Sequence, residues 1–209
     1  IQFLYMKSII NNTAFDQIYH EHLLYYNLKT LNDFLSKHNL EIFDAKLHEI
    51  HGGQMTAYVS RKNERSITKE FEKLLEVENS TGANKIDTYL IFKKKIEILK
   101  EKNIKFIDNS LKNKKTIFGM GAPVKGNTLL NYFGFNKTHI TKLLELNDLR
   151  KGLYSPGSHI PIEMEKEQNE LPDIYYVLAW NFKKEILKKN EKLLKKGIEF
   201  YFPINTKKI

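Results

Sequence analysis

The sequence predicts an α/β chain whose C-terminal half forms a mostly parallel, doubly wound sheet, and three observations carry that expectation. From Lys115 onward, short apolar runs alternate with helical stretches, the pattern of strands that need crossover connections. The run Asp173 to Leu178 is continuously apolar after its first residue, which suits a strand buried on both faces. Upstream, two strand-like stretches meet at His51-Gly52-Gly53, a turn signal that predicts an antiparallel hairpin at the edge of a different sheet.

In chain order, Leu28 to His38 places Leu28, Leu31, Phe34 and Leu35 at helical spacing, with Asn39 as a stop. Leu40 to Ile50 and Gln54 to Ser60 read as the two hairpin strands. Asp87 to Lys102 is amphipathic, with Leu90, Ile91, Ile98 and Leu99 recurring along it, and reads as a bridging helix. Thr116 to Gly121 is a short buried strand ending in glycines, and Lys125 to Phe133 is the helix after it. Ile140 to Leu146 and Ile198 to Pro203 are further strands, and Phe182 to Lys196 is one helix stopped by Gly197. The expected organisation is residues 1–62 as the end of an incomplete domain, 63–114 as a helical linker and 115–209 as a second domain.

Composition narrows the function classes. The 209 residues include no cysteine, which excludes disulfides and thiolate zinc sites and makes a cytoplasmic location the expectation. No stretch approaches the roughly 18 apolar residues of a membrane span. The net charge of +9 is spread as Lys over helical stretches such as Lys93 to Lys95 and Lys183 to Lys196, without a nucleic-acid recognition motif. The expected partner is therefore neither nucleic acid nor membrane. Residue 1 is Ile, not Met, and reads as an internal point of a longer protein.

Three constellations carry chemistry. Tyr19-His20-Glu21-His22 gathers groups able to take or give a proton, and a carboxylate beside an imidazole fixes its tautomer. Proton transfer, a His-x-His metal site needing further ligands, and local hydrogen bonding all remain open for these four residues. Gly119 to Thr128 places a glycine turn between a strand and a helix, where backbone N–H groups and the helix dipole favour an anion. Val124 spoils a dinucleotide fingerprint and Asn127 spoils a Walker loop, but Lys125 brings an ammonium to the turn. Glu145 to Ile162 starts at the end of a strand, where ligands of open sheets bind; Glu145 suits a ribose hydroxyl, Tyr154 a stacked ring and His159 an oxygen.

Taken together these stretches resemble the three-domain C-methyltransferases that use S-adenosylmethionine and act on nucleotide-linked deoxysugars. The matching residues are Phe15 to Leu23, Tyr25-Tyr26, His51 to Gly53, Gly121 to Asn131, Tyr154 to Ile162 and Ala179 to Phe182, in the family's order. Gln54, Glu145 and Asp148 depart from its pattern. The resemblance implies the tail of a class I methyltransferase domain followed by a Rossmann-like domain that binds the nucleotide sugar. It implies His22 as general base with Glu21 and Tyr19 beside it, and substrate contacts from Lys125, Asn127, Glu145, Arg150, Tyr154 and His159. No metal is implied. The donor site would lie largely outside this chain, in a preceding portion or a separate donor-binding chain. The alternative is a non-catalytic module that binds a nucleotide sugar without a donor site of its own.

Overall fold

The computed structural model describes residues 1–48, 52–204 and 207–208. Ile50 and His51, the ends of the expected first hairpin strand and its turn, lie outside the described residues. The chain divides into two compact units, the first made of Ile1–Phe15 and His20–Lys95, the second of Asp16–Tyr19 and Ile96–Ile209. Each has its own sheet.

In the first unit, β1 (Gln2–Leu4), β2 (Leu40–His48) and β3 (Gln54–Arg61) form an antiparallel sheet in the order β1-β3-β2. The expected hairpin is present, with Leu40 opposite Arg61 and His48 opposite Gln54. The short strand β1 adds to its other side, with Gln2 opposite Thr56. Alternation on β3 and a register irregularity between Ile42 and Asp44 on β2 place Ile42, Ala45, Met55 and Ala57 inside, where they meet Leu28, Leu31 and Leu35 of α2 (Leu28–Ser36) and Phe71 of α3 (Lys69–Ser80). Burying each large side chain in that group contributes roughly 1.5–3 kcal/mol. Met6–Asn12 forms the short helix α1. Helix α2 begins at a capping box built on Asn27 and Thr30, and Asn39 beyond its end has φ of 58°, the left-handed conformation a helix stop calls for.

Glu78 of α3 is fully buried, and its carboxylate accepts from Tyr5 Oη at 2.8 Å, from the backbone N–H groups of Leu28 and Lys29, and from Asn84 Nδ2 at 3.3 Å. The acceptor thus sits on the positive end of α2, which offsets the desolvation of its charge. Ile86–Lys112 is the single long helix α4, extending ten residues past the expected end at Lys102.

The second unit carries β4 (Ile117–Met120), β5 (Leu143–Glu145), β6 (Ile162–Met164), β7 (Ile174–Val177), β8 (Glu199–Phe202) and β9 (Lys207–Lys208), in the order β6-β5-β4-β7-β8-β9. The first five are parallel and β9 is antiparallel to β8. Every residue of β4, β7 and β8 is buried, as the apolar runs predicted. Chain direction across the sheet reverses between β4 and β7, so the topological switch point lies there. On α4, Asn103 is buried with its amide donating to the carbonyls of Leu99 and Pro203 and accepting from Tyr176 Oη at 2.6 Å. Phe106 stacks on Tyr201 with ring centroids 3.6 Å apart.

Two expectations are corrected in detail. The helix expected over Phe182 to Lys196 is a 3₁₀ turn at Trp180–Phe182 followed by α6 (Lys183–Lys189) and α7 (Glu191–Lys195). The break falls at Asn190, whose side-chain amide donates to the Ile186 carbonyl at 2.9 Å and so competes with helix continuation. The strand expected over Ile140 to Leu146 is only Leu143–Glu145; the Asn136 side chain forms a turn ahead of it by accepting from the Thr138 N–H, and the Leu146 N–H is taken by the Glu145 carboxylate at its end.

Candidate functional site

The turn between β4 and α5 (Val124–Phe133) lies at the carboxyl edge of the sheet, beside the switch point. Gly121 has φ of 81°, which lets the chain leave β4 sharply. A Cβ on Gly126 would stand 3.2 Å from Leu178 Cβ, so glycine allows α5 to lie close to the segment after β7. Glu145, at the end of β5, braces this turn. One carboxylate oxygen accepts from the Ala122 N–H at 3.1 Å and from Arg150 Nη1 at 3.0 Å; the other accepts from the N–H groups of Leu146 and Asn147. Arg150 also donates to the Ala122 carbonyl. Burial works to raise the pKa of Glu145, but these bonds outweigh it and hold the carboxyl below its usual range. With four donors on two oxygens, Glu145 has no lone-pair direction left for a ribose hydroxyl.

Lys125 and Asn127 sit in the first turn of α5, both half-buried. The Lys125 ammonium stands 4.7 Å from the centroid of the Trp180 ring, a cation–π contact. On the same indole, Nε1–H donates to Asp16 Oδ2 at 2.7 Å. Asp16 is fully buried, and its Oδ1 has no partner in hydrogen-bond geometry among the described residues. Burial pushes the Asp16 carboxyl up to about 6, against the opposing pull of Lys125, the indole N–H and the backbone amides of Asp16 and Gln17. Burial lowers the Lys125 pKa and Asp16 raises it. Asn181 Oδ1, next to the indole in sequence, is likewise buried without a partner.

Tyr154 and His159 are elsewhere. Both are exposed, and they line an open cleft of about 470 Å³ with Asn136, Lys137, Thr138 and Ser158. Those segments lead into β5 and β6: the Thr141 N–H bonds to Ile117 O at the start of β4, and the Leu143 N–H to Pro161 O. The cleft is therefore at the amino edge of the sheet. The six expected substrate residues divide, with Lys125, Asn127, Glu145 and Arg150 at the carboxyl edge and Tyr154 and His159 at the other.

Tyr19 to His22 lie in an irregular segment between the 3₁₀ turn Phe15–Gln17 and α2. Tyr19 is half-buried; His20, Glu21 and His22 are exposed. The His22 ring meets Tyr25 edge-on with centroids 6.4 Å apart. Among the described residues no group of three His, Asp or Glu is placed to hold a metal ion, and no helix is long and apolar enough to cross a membrane.

A family profile described as the C-methyltransferase C-terminal domain matches residues 49–205. The chain belongs to that family. Over 202 residues this C-methyltransferase C-terminal domain chain is 29% identical to C-methyltransferase NovU of Streptomyces niveus. The alignment covers 96% of the chain and 48% of that protein, so the chain spans about half the length of the curated relative it matches. The family match takes in the Gly121 turn, Lys125 and Trp180 and leaves Asp16 and Tyr19 to His22 ahead of it.

Asp16, Trp180 and Asn181 lie in stretches that carry the resemblance, but sequence reasoning did not single them out as site residues. Trp180 offered a weak signal, as the single Trp of the chain just after an apolar strand. Asp16 stands in one of those stretches, but its partners, 109 and 164 positions further along, could not be read from it.

Proposed function

We propose that this chain supplies the substrate-binding part and the general base of a C-methyltransferase that acts on a nucleotide-linked keto-deoxysugar. The single observation that carries the reading is the family match over residues 49–205. The switch-point turn supports its substrate side: backbone N–H groups at the start of α5, with Lys125 among them, suit the diphosphate of a nucleotide sugar. Asn127 in the same turn is the second contact, and Glu145 with Arg150 holds the turn's shape from behind. Tyr154 and His159, at the opposite edge, fall outside this site.

Methylation at carbon needs a base, because a C–H carbon has no lone pair to offer. In this reading His22 takes the proton beside the sugar's carbonyl, and the C–H electrons move into an enolate. The Tyr19 hydroxyl stabilises the developing oxygen charge, and Glu21 stabilises the imidazolium. The methyl group would come from S-adenosylmethionine, whose sulfonium carbon accepts the enolate's electron pair as the S–CH₃ bond breaks. Glu145 is saturated by its four donors, so its role in this reading is to hold the turn and not to bind a ribose of the substrate.

The test uses a longer protein that contains this chain. Incubated with its keto-sugar substrate in deuterated water without donor, it exchanges the sugar's α-proton, followed by NMR. Binding of the nucleotide sugar with no exchange would leave the non-catalytic module as the correct reading.

A further inference from the structure

A buried carboxylate with one empty oxygen is an expensive feature, and Asp16 has one at the most ligand-prone position of the fold. Its carboxylate is removed from water, with Oδ2 bonded to the Trp180 indole and Oδ1 without a partner in full hydrogen-bond geometry among the described residues. A core that needed only a partner for the indole N–H would be served by a neutral acceptor. The second role of this carboxylate is electrostatic. Lys125 is half-buried, rests over the face of the same indole, and is attracted by the Asp16 charge. Ring and carboxylate together provide the ammonium with a fixed seat.

We propose that Asp16 is a positioning residue for Lys125. Its carboxylate, working with the Trp180 indole, holds the ammonium charged and in place at the turn that opens α5, ready for a ligand's phosphate. The inference rests on the reading of Lys125 as a phosphate contact and deepens it. Without the Asp16 charge, the half-buried ammonium has no counter-ion among the described residues and moves to water. A phosphate must then recapture a long, mobile side chain. Loss of the buried negative charge also removes some repulsion of the ligand, but that charge is already offset by Lys125 beside it.

The experiment uses the 209-residue chain, with uridine diphosphate as the probe and calorimetry as the readout. Lys125→Met and Asp16→Asn each weaken binding roughly five- to tenfold, the scale of one charge-assisted contact. The double variant binds no more weakly than Lys125→Met alone, because Asp16 acts through Lys125. Unchanged or tighter binding by Asp16→Asn, or additive losses in the double variant, overturns the proposal while leaving Lys125 as a phosphate contact. Unchanged binding by Lys125→Met removes both. A second measurement needs no ligand. Trp180 is the only tryptophan, so its emission reports on the carboxylate bonded to it. In Lys125→Met the acid transition of that emission moves to higher pH, since the cation that favours ionised Asp16 is gone. An unmoved transition shows that Lys125 does not sit with Asp16, and the proposal fails.

Discussion

Two buried carboxylates, one in each unit, have opposite surroundings. Glu78 accepts hydrogen bonds from a tyrosine hydroxyl, two amides at the start of α2 and an asparagine. Asp16 has one indole donor on Oδ2 and only a weaker pull from the backbone amides of Asp16 and Gln17, with no partner in full bonding geometry on Oδ1 among the described residues. A carboxylate with its oxygens filled from several directions fixes a fold, because each partner would be left unsatisfied without it. One that is only partly filled, sharing an indole with a lysine at a switch point, is free to act on that lysine's charge. In sequence, Tyr19 to His22 lie between Asp16 and the Leu28 and Lys29 amides that Glu78 binds.

The largest expected effect tests that segment. In a longer protein containing this chain, His22→Ala lowers turnover about 10²–10⁴-fold, the usual scale for loss of a general base. Affinity for the nucleotide sugar stays near that of the parent. Exchange of the sugar's α-proton continuing at the parental rate would remove His22 as the base. Glu21→Gln is expected to do less harm, since it keeps the shape and loses only the charge.

Glu78→Ala comes next and acts on stability. It strands the Tyr5 hydroxyl and the Leu28 and Lys29 amides inside the first unit, at about 1–3 kcal/mol for a stranded buried group. A loss of about 3 kcal/mol in urea unfolding is expected. A loss below about 0.5 kcal/mol, the level of an ordinary surface substitution, would show that Glu78 does not hold the start of α2.

Asp16 predicts the reverse sign. Its folded pKa of about 6 lies above the usual aspartate range, so the folded state binds this proton more tightly than the unfolded chain. This contribution to stability is fully present below the unfolded pKa, near 4, and is lost as pH rises to about 6. The loss is on the order of 2–3 kcal/mol, and above about 6 the contribution stays flat. Asp16→Asn should remove that fall. Urea midpoints measured from pH 4 to pH 8 check it, and an Asn variant that keeps the parental pH slope would place the titration elsewhere.

The contrast also marks how far the sequence could be read. Long apolar runs were legible: Ile174–Val177 and Ile117–Met120 are buried strands because nothing polar interrupts them. The α2 helix, its Asn39 stop and the presence of a hairpin followed from spacing and the glycine turn, but its register did not. Strand β6 was not legible, being three residues after a proline, with partners that only the finished sheet supplies. The break at Asn190 was hidden because helical periodicity continues through it. At the site, the glycine turn and Lys125 could be read locally, since a strand-to-helix turn is a local pattern. Asp16 could not, because a lone aspartate acquires its meaning from an indole 164 positions away. Nor could the division of the six expected substrate residues between two sheet edges, which depends on how each loop returns to its strand.

That division yields the smallest expected effect. Tyr154 and His159 share a cleft with Asn136 to Thr138 at the amino edge, while Lys125 stands at the carboxyl edge, on opposite ends of the parallel strands. Four residues of parallel strand span roughly 13 Å. A diphosphate held at the start of α5 is therefore separated from Tyr154 by about the length of β4, and the intervening core is filled by Leu143, Leu144 and Ile162. Tyr154→Ala and His159→Ala should each change uridine diphosphate affinity less than twofold, within the range of a surface substitution. Lys125→Ala should weaken the same ligand and flatten its dependence on salt, because a screened charge contact is lost. Calorimetry at two salt concentrations separates the two edges. A loss at Tyr154 as large as that at Lys125 would put the ligand in the amino-edge cleft, and the turn at Gly121 would then serve only to pack α5 against the sheet.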